Sequence, residues 1–76
     1  MDLLETIFNA IFDAEEEHGA DNISITLNEQ LSIVYNNSRI INSFDIKDLA
    51  SSDVKRINDL CDYLELKVIG AWYYAL

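Results

Sequence analysis

The chain has 76 residues, half of them apolar, with 14 acidic side chains against five basic ones and a net charge of −9. That balance excludes a direct nucleic-acid binder, which needs a cationic face, and repels anionic membrane surfaces. So apolar a composition excludes a disordered chain, and a single cysteine excludes an internal disulfide. We therefore expect one domain over residues 1–76, small enough to bury only about 60% of its unfolded surface. With no secretory signal and no bilayer-length apolar run, its expected place is the reducing cytoplasm.

The opening segment, Asp2 to His18, has a helical period. Leu3, Leu4, Ile7, Phe8, Ile11 and Phe12 share one broad face. Asp2, Glu5, Thr6, Asn9, Asp13, Glu16 and Glu17 fall opposite them. Asp2 and Glu5 have the spacing of a capping box, and Gly19 supplies a stop. Phe8 and Ile11 are expected at the centre of the core. His18, one turn past Ala14, is expected to satisfy the last carbonyls of its helix.

After Gly19 the period changes to two. Ile23, Ile25 and Leu27 alternate with Ser24, Thr26 and Asn28, a half-buried strand. Asn28-Glu29-Gln30 reads as a turn, and Leu31, Ile33 and Tyr35 begin a second alternation. Asn36-Asn37-Ser38 reads as a tight hairpin turn, because Asn tolerates left-handed backbone. Arg39 to Phe44 is the third strand, with the adjacent pair Ile40-Ile41 breaking its alternation.

Helical spacing returns after two short stretches of capping residues, Asp45 with Asp48 and then Ser51-Ser52-Asp53. Val54, Ile57, Leu60, Cys61 and Leu64 share a face. Cys61 on that face is expected in the core. Leu66 to Leu76 is rich in β-branched and aromatic residues and reads as a last strand.

The predicted fold is α+β in the order α-β-β-β-α-β: an antiparallel meander plus a C-terminal strand, with both helices on one face of the sheet. A right-handed crossover makes the last strand parallel to the third, and we place it beside the first. Val68, Trp72 and Tyr74 would lie on one face of it and Ile69, Ala71 and Tyr73 on the other, so its second face needs cover.

Charge is distributed unevenly. Residues 1–38 hold eight acids and no Lys or Arg, whereas residues 39–76 hold six acids and all five bases. The densest acidic run is Asp13, Glu15, Glu16 and Glu17, with Asp21 just beyond. An ordinary solvated helix end would look similar, but here the run opposes the helix dipole, at roughly 0.3–1 kcal/mol per charge. Like-charged pairs one turn apart each cost about 0.2–0.5 kcal/mol more. Asp59, Asp62 and Glu65 repeat the arrangement on the second helix. Such placement points to binding, and Asp13, Glu15, Glu16, Glu17 and Asp21 are the candidate partner-binding residues. Trp72 and Tyr73 join them, since Trp and Tyr offer large contact area at low entropy cost.

Chemistry has little to work with. The one His has no nucleophile motif around it, and no glycine loop is built for phosphate. Calcium-loop spacing is absent, and zinc wants more His and Cys. We expect no enzyme activity, no cofactor and no metal.

In size, acidity and acidic helix the chain resembles small phage-encoded inhibitors of bacterial defence, the anti-CRISPR and anti-restriction proteins that imitate DNA. The resemblance implies an inhibitor, acting in the host cytoplasm, that occupies a basic nucleic-acid-binding groove of a defence or nuclease protein. Acids one turn apart set a charge every 5 Å or so, against roughly 3.4 Å between phosphates along one strand. Two other classes fit the same composition. One is an immunity protein or antitoxin that neutralises a basic toxin through a few buried anchors. The other is a structural homo-oligomer, such as a homodimer seamed along the C-terminal strand.

Overall fold

The computed structural model describes residues 2–70. Helix α1 (Leu3–His18) leads into a meander of β1 (Ile23–Leu27), β2 (Gln30–Tyr35) and β3 (Arg39–Asp45). Helix α2 (Ser51–Tyr63) then returns the chain to β4 (Lys67–Ile69). The fold is α+β in the expected order, with an added 3-10 turn at Ala20–Asn22. Trp72, Tyr73 and Tyr74, and most of the predicted last strand, lie outside the described residues.

Local chemistry accounts for the element ends. The Glu5 N–H donates to Asp2 Oδ1 at 2.8 Å, so Asp2 caps α1. At the other end the Gly19 N–H donates to the Glu15 carbonyl at 2.8 Å, and Asn22 Nδ2 donates to the His18 carbonyl at 2.8 Å. These groups, not the His18 ring, are what the structure shows on those carbonyls. Asn36 and Asn37 have φ of 52° and 62°, and the Ser38 N–H closes the hairpin onto the Tyr35 carbonyl at 3.2 Å. Helix α2 starts one residue earlier than its capping residues suggest: Ala50 holds the N-cap position, without a side-chain bond.

The sheet order is β3-β2-β1-β4. β1 and β3 both run antiparallel to β2, and β4 runs parallel to β1, hence parallel to β3, as the crossover requires. Ile25 faces Ile33 across the ladder, and Leu27 faces Leu31. Both helices cover this side, where Ile7, Ile11 and Ala14 meet Ile57 and Cys61 over the strand residues. The opposite side is polar at its centre: Ser32 and Ser43 hydroxyls lie 3.2 Å apart, and Ser43 donates to Gln30 Oε1. Gly70 follows β4 with φ of 136°, and a Cβ there would overlap the Leu27 carbonyl.

Two side chains depart from the expected core. Phe8 is only half-buried, and Phe12 is exposed. The buried stripe of α1 centres on Ile7, Ile11 and Ala14. At about 100° per residue Phe8 stands near its margin and Phe12 beyond it. Apolar identity alone widened the predicted face.

The Ile40-Ile41 pair marks a β-bulge. Ile33 pairs with Asn42 while the next residue, Val34, pairs with Ile40, so Ile41 is the extra residue. Ile40 shares the helix-free side with Val34 and is 63% exposed, whereas Ile41 packs against the core.

Candidate functional site

Between helix α1 and the outer strand β3 the surface is recessed. A groove of about 430 Å³ runs between them, walled by Thr6, Asn9, Ala10, Asp13 and Glu17, with Ile41, Asn42 and Phe44 opposite. The wall residues recur at three and four, so a single stripe of α1 faces the groove. A second recess continues past Glu17 and Ile41 to His18, Tyr35, Arg39 and Ile40. Glu17 and Ile41 line both recesses, so the two adjoin and form an open channel along the seam.

The predicted acids do not all gather here. Asp13 and Glu17 are exposed, line the channel and stand one turn apart. Glu16 is exposed but lines neither recess. Glu15 is half-buried on the other flank of α1, because two residues turn the helix by about 200° from Asp13. Asp21 is exposed in the 3-10 turn and lines a separate recess with Asn36, Glu65 and Lys67. Ile41, Phe44 and Arg39 complete the channel and were not singled out from sequence. The broken alternation at Ile40-Ile41 was the one signal that pointed to them.

In the second acidic cluster Asp59 has a neighbouring cation, whereas Asp62 and Glu65, among the described residues, take part in no ion pair. On α2, Lys55 Nζ lies 3.3 Å from Asp59 and Arg56 Nη1 lies 3.9 Å from Asp53. Lys47 pairs with Asp45 at 3.7 Å. Among the described residues, Asp13, Glu15 and Glu16 take part in no ion pair. Glu17 approaches only His18 Nε2, at 3.9 Å, a contact that is ionic only when the imidazole is protonated. Asp59 therefore has local compensation that the acids of α1 lack.

No known family model, curated protein or solved structure matches this chain.

The geometry offers recognition more readily than chemistry. The channel sets the apolar Ile41 and Phe44 opposite two carboxylates on the α1 wall. Such a lining is of the kind that side chains with an apolar stem and a charged head complement. The one cysteine of the chain, Cys61, is fully buried on the inner face of α2 and stands outside this surface. Among the described residues, no helix is long and apolar enough to cross a membrane.

Proposed function

We propose that this protein is an acidic protein-binding module, an inhibitor whose α1 face occupies the basic nucleic-acid-binding groove of a defence or nuclease protein. One observation carries the reading. Among the described residues, Asp13, Glu15, Glu16 and Glu17 crowd the C-terminal end of α1 against its dipole and pair with no Lys or Arg, whereas Asp59 near the end of α2 pairs with Lys55. Charges left uncompensated on one face are available to a cationic partner, for which they supply steering and specificity.

Charge reversal tests the reading. Asp13, Glu16 and Glu17 are replaced together by Lys, and thermal melting is compared with the parent. The variant should be as stable or more so, since cations suit a helix C-terminus while the acid–acid pairs are exchanged for base–base pairs of similar cost. Proteins retained from a bacterial lysate by the parent at low salt should be lost with the variant and displaced by duplex DNA. Retention that survives both charge reversal and DNA competition would overturn the proposal. Retention that DNA displaces little and that survives high salt would instead favour an immunity protein anchored by buried contacts.

A further inference from the structure

Among the described residues, β3 is an outer strand, bonded to β2 on one side only. Outer strands commonly carry a device against acquiring a neighbour, and the Ile41 bulge is one. It interrupts only the first half of the strand. From Asn42 to Asp45 the pairing with β2 runs in step, residue for residue. The outward backbone groups of this stretch therefore keep the spacing another strand needs. A strand laid along it would turn alternate side chains into the channel beneath α1, toward Asp13, Glu17 and Phe44.

We propose that the Asn42–Asp45 edge receives an extended basic segment of the partner protein as a fifth strand. This rests on the acidic-module reading above and specifies how the partner is held. Side chains on one face of a strand recur about every 6.8 Å. Carboxylates one helical turn apart, as Asp13 and Glu17 are, stand roughly 5–6 Å apart, so successive inward Lys or Arg residues each reach one. Their stems lie on Ile41 and Phe44 while the heads remain at the rim. Arg39, farther along the channel past Glu17, repels any additional cation and bounds the site. A second copy of this chain is a poor occupant, because each copy carries −9.

The test uses the isotopically labelled full chain and a short synthetic peptide alternating Lys with Val, followed by amide NMR and hydrogen exchange. Resonances of Asn42–Asp45 should shift together with those around Asp13 and Glu17. Exchange at the β3 edge should slow on binding. Methylating the peptide backbone on its β3-facing edge, or reversing Asp13 and Glu17 to Lys, should each raise Kd by about tenfold or more. Shifts confined to α1, with equal affinity for the methylated peptide, would overturn strand addition and leave the acidic module standing. Absence of shifts in both places would overturn both. A concentration-dependent dimer of the free protein, with the β3 edge already protected, would assign the edge to a second copy and overturn the proposal as well.

Discussion

The imidazole of His18 lies against the phenol ring of Tyr35, with centroids 4.6 Å apart and planes tilted by 41°. One residue closes α1 and the other closes β2, so the contact ties the exit of the helix to the central ladder. Ring pairs of this kind contribute about 0.5–1.5 kcal/mol beyond the area they bury. Tyr35→Phe keeps the ring and should leave the urea midpoint nearly unchanged, while Tyr35→Ala should lower it clearly. Equal damage from both would place the stabilisation in the hydroxyl and not in the ring contact.

The margin of the α1 face predicts a graded series. Ile11 is fully enclosed, Phe8 half-buried and Phe12 42% exposed. Ile11→Ala should cost about 2–5 kcal/mol, and Phe8→Ala should fall below the roughly 3–5 kcal/mol of an enclosed Phe. Phe12→Ser should stay within about 0.5 kcal/mol of the parent. Denaturant unfolding of the three variants gives the order directly, and a Phe12 variant as damaged as the Ile11 variant would show that the helix is rotated.

Glu65 ends α2 in a left-handed conformation with φ of 60°. The Leu66 N–H donates to the Cys61 carbonyl at 2.9 Å and the Glu65 N–H to the Asp62 carbonyl at 3.1 Å, the double bond of a Schellman close. That position favours Gly, and a side chain there costs roughly 1–2 kcal/mol. Glu65→Gly should therefore raise stability, by about 1 kcal/mol after the added flexibility of the unfolded chain is subtracted. A drop in melting temperature would mean that the Glu65 side chain makes a stabilising contact.

Burial, reinforced by the neighbouring charge of Asp62, pushes the Cys61 thiol from its ordinary 9.0 up to about 12. The unfolded chain releases this proton first, so the folded state binds more protons between those values. The stability this group contributes is complete below pH 9.0 and is lost as pH rises from there toward about 12. The loss runs at about 1.4 kcal/mol per pH unit. Cys61→Ala should flatten that part of the stability profile, read from denaturation midpoints across alkaline pH. An unchanged slope would assign the alkaline loss to other groups.

Period and turn chemistry carried most of the architecture. The helical spacing from Leu3 to Ala14, the alternation of Ile23, Ile25 and Leu27, and the paired Asn36-Asn37 each report a preference that nearest neighbours settle. One buried face admits one register, so the meander followed from that pattern; the expected place of β4 beside β1 is the one observed, but the pattern does not dictate it. Asp13 and Glu17 were legible as unusual because helix-dipole and like-charge costs depend only on positions along one helix.

Other features needed contacts between elements distant in sequence. Phe12 has the same apolar chemistry as Ile11, and only the angle at which α1 meets the sheet leaves it exposed. The channel depends on where α1 lies relative to β3, a position set by packing Ile7, Ile11 and Ala14 over β1 and β2. The division among the acids is likewise tertiary. Asp13 and Glu17 line one groove with Phe44, Glu15 turns to the other flank and Asp21 joins a different recess. Sequence determined which residues carry charge and which elements hold them; packing decided which of those charges face a common groove, because burial of the apolar stripe sets the rotation of the helix.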